Sequence, residues 1–385
     1  MNVLMISDVY FPRVNGVSTS IETFRNELGK RGVDVTLVAP SYDNHGKEEG
    51  IVRIPSRKVM FDPEDRMMAY DSIKGLTEIL GGRKFDLVHI QTPFVAHYAA
   101  VALANEMGLP KVVTYHTFFE EYLYHYIPFL PAAWLKGFAR RFSRKQCNDV
   151  EAIVVPSTAM AKTLQEYGVE RPLHIIPTGI PEDMFEEGER APFRKRHGIP
   201  ENAPVMLFVG RVAFEKNIEF LIEATGIARK QMPDLLLIVA GEGPALKSIE
   251  KKIRAMRLEK HVKLIGYMDR KRQLKDCYSA ADAFVFASRT ETQGLVLLEA
   301  MAAGLPVIST AHMGTCDILK PDSGSVVPED DPESFAAQMV RVMSDEKIRN
   351  ELALEARGYA RKWSSGAMAE KMMALYQELA AGSST

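Results

Sequence analysis

Short, uninterrupted apolar runs alternating with stretches of helical length narrow the folds open to this chain more than any other feature. Val3-Leu-Met-Ile leads into a loop rich in Pro, Asn and Gly, after which Ile21, Phe24 and Leu28 fall at helical spacing up to a stop at Gly32. Further runs stand at Val33–Ala39, Ile51–Ile54, Phe85–Ile90, Lys111–Tyr115, Ala152–Val155 and Leu173–Ile176. Strands that are apolar throughout must be covered on both faces, and intervening helices let neighbouring strands run parallel. The pattern lapses into Pro-, Gly- and Glu-rich sequence between 177 and 200. It restarts at Val205–Gly210 and continues through Leu235–Ala240, Val262–Ile265, Ala283–Ala287 and Pro306–Ser309.

Two doubly wound α/β domains in series are expected: an N-terminal domain over 1–185, a linker over 186–200 and a C-terminal domain over 201–364. The tail, 365–385, reads as a helix with Met368, Met372, Leu375 and Leu379 on one face, packing back toward the N-terminal domain. A length of 385 residues suits two domains at about 150 residues each. Ligands of open parallel sheets bind beyond the carboxyl ends of the strands. Two such domains facing each other are expected to share a cleft there.

Lys and Arg total 48 against 50 for Asp and Glu, so the net charge of -2 gives no general pull toward nucleic acid. Cys147, Cys277 and Cys316 are scattered, with no Cys-x-x-Cys pair for zinc or a disulfide framework, which fits a reducing cytoplasm. The first apolar run ends at Asp8 with no basic residue before it, unlike a signal peptide. No apolar stretch approaches the roughly 20 residues of a spanning helix.

The chemistry-bearing residues cluster in the loops after strands. Glu291 follows the run Ala283–Ala287, and Glu299 lies two turns into the next helix. Between them the N–H groups near Gly294 and Leu295 form a helix N-terminus, which favours a phosphate. By spacing alone, a solvated loop Glu and a helix-surface Glu fit equally well. Arg211 and Lys216 follow the strand ending at Gly210, and a guanidinium fork with a point charge suits a diphosphate; two surface cations are the plainer alternative. Gly241-Glu-Gly243-Pro lacks the third glycine of a dinucleotide fingerprint and reads as a structural turn. His116 directly follows Lys111–Tyr115, and Gly16 in the first strand-to-helix loop would admit a close backbone approach to a phosphate or sugar.

Taken in order, these residues resemble the retaining glycosyltransferases of family four, which have the GT-B fold, and the resemblance spans nearly the whole chain. Its strongest element is Glu291, seven residues and Glu299, continued as Glu299-Ala-Met-Ala-Ala-Gly304-Leu-Pro-Val307. The Glu-Thr-Gln-Gly-Leu wording is similar to the bacterial diacylglycerol glucosyltransferases. The resemblance implies a nucleotide sugar in the C-terminal domain, with Glu299 on the ribose and Arg211 and Lys216 on the diphosphate. Glu291 would hold the sugar hydroxyls with the N–H groups of Gly294 and Leu295, and the base would meet the backbone near Met268. His116 and the acceptor would come from the N-terminal domain. Gln293 departs from the Phe common before the glycine and implies a more polar sugar pocket. No Asp-x-Asp pair offers to hold a metal on the diphosphate, so no cofactor is expected.

The segment after His116 is dense in aromatics, including Phe118 and Tyr122. Beyond it, Trp134, Leu135, Phe138 and Phe142 share a helical face, and Lys136, Arg140, Arg141, Arg144 and Lys145 stand among them with no carboxylate. That is the pattern of a helix lying on an anionic membrane; a core-packed helix with a solvated basic face is the alternative. Val59-Met-Phe61 and Met67-Met68, with Arg57, Lys58 and Arg66, form a weaker second candidate. The leading expectation is a cytoplasmic enzyme, peripheral on the inner face of the membrane, that moves a hexose from UDP-glucose or UDP-galactose to a lipid such as diacylglycerol. The alternatives are a soluble or polyprenyl-linked glycan acceptor, GDP-mannose as donor, or a non-catalytic nucleotide-sugar-binding protein.

Overall fold

The computed structural model describes residues 1–42, 48–59, 62–69, 75–116, 132–269 and 273–382. The chain divides into two compact units, Met1–Gly179 with the residues from Ser365 onward, and Ile180–Ser364.

In the first unit, β1 (Asn2–Ile6), β2 (Asp34–Pro40), β3 (Ile51–Ile54), β6 (Leu87–Ile90), β7 (Lys111–Thr114), β8 (Ala152–Val155) and β9 (Leu173–Ile175) form a parallel sheet in the order β3-β2-β1-β6-β7-β8-β9. A separate antiparallel hairpin joins β4 (Ser56–Val59) and β5 (Asp62–Met68). Both faces of the sheet are covered, which is why β1 is apolar at every position after Asn2. Leu4 and Ile6 face a cluster with Ala96, Ala100 and Leu103 of the helix Val95–Met107. Val3 and Met5 face the other way, onto Ile21, Phe24 and Leu28 of the helix Gly16–Lys30.

The helix Ser365–Gly382 completes that second face with Met368, Met372, Leu375 and Tyr376. Leu379 is only partly buried, and Tyr376 takes the place at the centre of the stripe.

In the second unit, β10 (Val205–Val209), β11 (Leu236–Ala240), β12 (Val262–Gly266), β13 (Ala283–Phe286), β14 (Val307–Ser309) and β15 (Ser325–Val326) run parallel in the order β12-β11-β10-β13-β14-β15. This unit already begins at Ile180. The stretch 186–200, read from its composition as a linker, carries the helix Arg190–Arg196. Phe193 of that helix joins the core, and buried Arg194 donates to the carbonyls of Ala280, Pro200, Glu201 and Ala203 and pairs with Asp282. A guanidinium so fully used tethers the segment, although its sequence is polar enough to read as a connector.

Each sheet reverses its strand order once. The reversal lies between β1 and β6 in the first unit and between β10 and β13 in the second. Loops that follow these strands diverge to opposite faces and open a crevice at the carboxyl edge. The described helices include none long and apolar enough to cross a membrane.

Candidate functional site

At the reversal in the second unit, the loop after β10 carries Arg211 and Lys216, and the loop after β13 carries Glu291. The two loops are tied together: Asn217 Nδ2 donates to the Ala287 carbonyl at 3.3 Å and Ser288 Oγ to the Glu215 carbonyl at 3.3 Å. Lys216 Nζ forms a direct ion pair with Glu291 Oε1. Arg211 is exposed and has no side-chain partner among the described residues. The Arg211 loop is held from below by the two glycines read as a structural turn. A Cβ on Gly241 would lie 1.9 Å from the Gly210 carbonyl oxygen, and one on Gly243 would lie 2.4 Å from that of Val212. Val212 N donates to the Glu242 carbonyl at 2.9 Å, which joins the loops after β10 and β11.

The Glu291 loop is supported in a similar way. Gly314 N donates to the Glu291 carbonyl at 2.9 Å, and a Cβ on Gly314 would meet the Thr292 carbonyl oxygen at 2.1 Å. Gly294, at φ 94, then turns the chain into the helix Leu295–Ala302, whose N-terminus no side chain caps. The first N–H groups of this helix have no acceptor within it and face the carboxyl edge of the sheet. Glu299 is buried, with Oε2 accepting from Tyr278 Oη at 2.9 Å. Met268, after β12, packs in the core.

Gly314 and Tyr278 carry no signal in the sequence. One is a lone loop glycine and the other a helix residue at core spacing, and only folding brings them against Glu291 and Glu299.

In the first unit, His116 follows β7, and its Nε2 lies 2.9 Å from Oε1 of Gln91, the residue after β6. Burial pulls its pKa down to about 4, so the imidazole is neutral at physiological pH. His89, fully enclosed, bonds to Thr114 Oγ1 at 2.6 Å and Tyr376 Oη at 2.5 Å, and its burial, with His116 nearby, lowers its pKa to about 3. Asp8, at the start of the loop after β1, is a buried carboxyl that accepts from Thr92 Oγ1 at 2.8 Å and Ala96 N at 3.1 Å. Burial outweighs these bonds and lifts its pKa to about 6. Gly16 opens the helix Gly16–Lys30, which Asn15 Oδ1 caps by accepting from Ser18 N at 2.8 Å. A Cβ on Gly16 would have nothing within 4 Å. Phe118 and Tyr122 lie outside the described residues, as does the Leu135 side chain.

The helix Ala132–Asn148 turns Ala139, Ser143, Gln146 and Cys147 inward. Ser143 bonds to Tyr115 Oη at 2.7 Å, and Gln146 donates to the Pro93 carbonyl at 2.5 Å. Trp134 and Phe138 point outward, 75% and 60% exposed, on the same stripe as exposed Arg141 and Lys145. Phe142, expected among the outward aromatics, is partly buried against the core and stacks on Phe138 at 5.9 Å.

Two of the expected cations have partners: Arg140 lies over the Tyr167 ring at 5.3 Å, and Arg144 pairs with Glu170 at 3.6 Å. In the hairpin, Met68 is buried while Met67 is exposed, and Arg66 lies over Tyr42 at 5.6 Å. Met60 and Phe61 lie outside the described residues.

Two family models match the chain. Residues 14–184 match Glycosyltransferase Family 4, and residues 189–363 match Glycosyl transferases group 1. An alpha-monoglucosyldiacylglycerol synthase of Streptococcus pneumoniae is 33% identical over 319 residues, covering 80% of this chain and 71% of that protein. A GDP-mannose-dependent alpha-mannosyltransferase of Mycobacterium tuberculosis is 26% identical over 94% of this chain and 93% of its own length. Among solved structures, a sucrose-phosphate synthase from Thermosynechococcus elongatus superposes with a TM-score of 0.79 at 21% identity, over 99% of both chains.

Proposed function

The chain belongs to the family-four glycosyltransferases, and on that premise we propose that it is a retaining hexosyltransferase moving glucose or galactose from a UDP-sugar to a membrane lipid such as diacylglycerol. The observation that carries the lipid acceptor is the outward stripe of Trp134, Phe138, Arg141 and Lys145. Two large apolar side chains in solvent beside cations that have no ion-pair partner among the described residues fit an anionic bilayer surface, the apolar tips entering and the cations meeting headgroups. The likeness to a glucosyldiacylglycerol synthase points the same way. The enzyme acts as a peripheral protein on the cytoplasmic side of the membrane.

In this reading the diphosphate binds Arg211, Lys216 and the open N-terminus of Leu295–Ala302, Glu299 takes the ribose hydroxyls, and the base rests on the backbone at Met268. Lys216 and Glu291 neutralise each other before the donor arrives. The diphosphate competes for Lys216, which releases the Glu291 carboxylate for the sugar hydroxyls, with the N–H groups of Gly294 and Leu295 beside it. Gly16 gives room for a close backbone approach, and His116 stands at the anomeric carbon with the acceptor.

Breaking the bond from the anomeric carbon to the diphosphate oxygen leaves negative charge on that oxygen, where the fixed cations and helix dipole stabilise it. The acceptor hydroxyl attacks from the same face, its oxygen bonding the anomeric carbon and its proton passing to the departing phosphate oxygen. These donors supply the leaving-group charge without a metal.

The mannosyltransferase likeness favours a second reading, with GDP-mannose as donor and a soluble or polyprenyl-linked glycan as acceptor. The test is transfer from labelled UDP-glucose, UDP-galactose and GDP-mannose, in excess EDTA, to diacylglycerol in anionic vesicles and to soluble glycans. Labelled glycolipid from a UDP-sugar, unchanged by EDTA, is expected. Water-soluble product or exclusive use of GDP-mannose selects the second reading, and no turnover with any pair leaves a binding protein.

A further inference from the structure

We infer that Gln91 is a positioning residue for His116: its side-chain carbonyl holds the imidazole as the Nε2–H tautomer and leaves Nδ1 as a hydrogen-bond acceptor for a hydroxyl. The inference rests on the placing of His116 at the reacting centre proposed above.

Strand register makes this contact a built one. His89 of β6 is opposite Val112 of β7, and its side chain reaches diagonally to Thr114. Gln91 is two residues beyond His89, on the same face of the strand. It makes the equivalent diagonal contact to His116, two residues beyond Thr114. Gln91 is only 4% exposed, and its backbone N–H donates to the Ile6 carbonyl at 2.9 Å, so the end of β6 is anchored to β1.

An amide oxygen only accepts, so the proton between Oε1 and Nε2 belongs to the imidazole. A neutral imidazole has one such proton, and Nδ1 is then a lone-pair acceptor. Among the described residues no charged group bonds to His116, whose Nε2 is held by Gln91. His89 is neutral and spent on Thr114 and Tyr376, and Asp8 on the adjoining loop is occupied by Thr92 and Ala96. A neutral acceptor is the wrong partner for a diphosphate and a suitable one for a sugar or acceptor hydroxyl. Gln91 thus assigns His116 to the hydroxyls and away from the phosphates.

The test combines kinetics with imidazole nitrogen NMR of the full chain, the His116 signal being identified by its loss in His116→Ala. Expected are the Nε2–H tautomer in the wild type and a mixed tautomer in Gln91→Leu, with kcat at least tenfold lower and the donor KM within twofold. In Gln91→Glu the new carboxylate draws a second proton onto His116. Transfer then falls as pH drops from 8 to 6 more steeply than in the wild type, where Asp8 alone of these groups begins to titrate.

An Nδ1–H tautomer in the wild type overturns the inference. So does loss of transfer in His116→Ala with unchanged kcat and pH profile in both Gln91 variants. Should Gln91→Leu fail to fold, the wild-type tautomer and Gln91→Glu decide. Transfer retained in His116→Ala refutes the placing of His116 instead, and the tautomer signal still reports whether Gln91 holds the ring.

Discussion

Replacing Trp134 and Phe138 by Ser removes the apolar part of the outward stripe without touching the core. Three quarters of a Trp surface of about 200 Å² at about 25 cal/mol per Å² gives about 4 kcal/mol on complete burial, and Phe138 gives about 3. A helix resting in the headgroup layer immerses about half of this area, so the pair contributes about 3 kcal/mol, on the order of a hundredfold in partition coefficient. The cations act separately. Arg141 and Lys145 add about 1 kcal/mol each near anionic lipid, fading over a Debye length of about 8 Å at physiological salt. Arg140 and Arg144, held by Tyr167 and Glu170, contribute less. The assay is sedimentation with vesicles of mixed neutral and anionic lipid. Trp134→Ser with Phe138→Ser should lose binding at all salt concentrations, whereas Arg141→Gln with Lys145→Gln should lose it only at low salt. Melting temperature should stay within a degree or two in both. If the aromatic double variant sediments like the wild type, or unfolds, the stripe is not a membrane face.

Other substitutions separate folding from chemistry. Gly16→Ala meets no atom of the described residues within 4 Å, so its melting temperature should not move while transfer falls at least tenfold; undiminished transfer means that no substrate approaches Gly16. Glu291→Ala should abolish transfer while calorimetry still detects nucleotide binding, and activity within tenfold of wild type removes Glu291 from the sugar. Tyr278→Phe deprives the buried Glu299 carboxylate of a donor and should weaken UDP binding by about 1 kcal/mol, roughly fivefold, an effect whose absence would detach Tyr278 from the donor site. Neither ring nitrogen of buried His97 makes a hydrogen bond within 3.5 Å among the described residues, and burial pulls its pKa from 6.5 to about 4 although the Asp149 carboxylate, 3.9 Å from Nε2, acts the other way. A depressed pKa means stability that is present above pH 6.5 and lost as pH falls toward 4, about 2 kcal/mol by pH 5. His89 and His116 act in the same sense. Asp8, raised from 3.8 to about 6, acts in the opposite one, its contribution being present below pH 3.8 and lost as pH rises through 6. In urea unfolding, His97→Leu should lose about 2 kcal/mol less than wild type between pH 8 and pH 5, and equal losses would show that His97 charges freely in the fold.

The sheets were legible in the sequence because both faces of each are covered. A strand such as β1 then reads as an uninterrupted apolar run, too short for a helix and closed by a loop rich in Pro, Asn and Gly. β15, two half-buried residues long, left no such trace. The helix Ala132–Asn148 shows the opposite failure. Its buried stripe is Ala139, Ser143, Gln146 and Cys147, small or polar residues whose hydrogen bonds to Tyr115 and Pro93 replace apolar contact. Ranking by hydrophobicity therefore singles out the wrong side as the core side, and only packing distinguishes an outward stripe from an inward one. Glu291 and Glu299 stood out by resemblance rather than by physics. The partner that neutralises Glu291 is Lys216, 75 residues earlier, and the backbone that props its loop is Gly314. Neither contact has a periodicity to betray it.

The closing helix Ser365–Gly382 makes the first unit discontinuous in sequence, and that bears on how the chain is made. As synthesis proceeds from the N-terminus, Met1–Gly179 leaves the ribosome with Ile21, Phe24 and Leu28 lacking their cover of Met368, Met372 and Leu375, and with His89 lacking the Tyr376 hydroxyl. The second unit is contiguous and can finish first. The earlier-born unit must wait, its apolar flank open to chaperones or to neighbouring nascent chains, until the helix Ser365–Gly382 emerges. A chain stalled or cleaved before Ser365 therefore yields one finished unit and one that stays open.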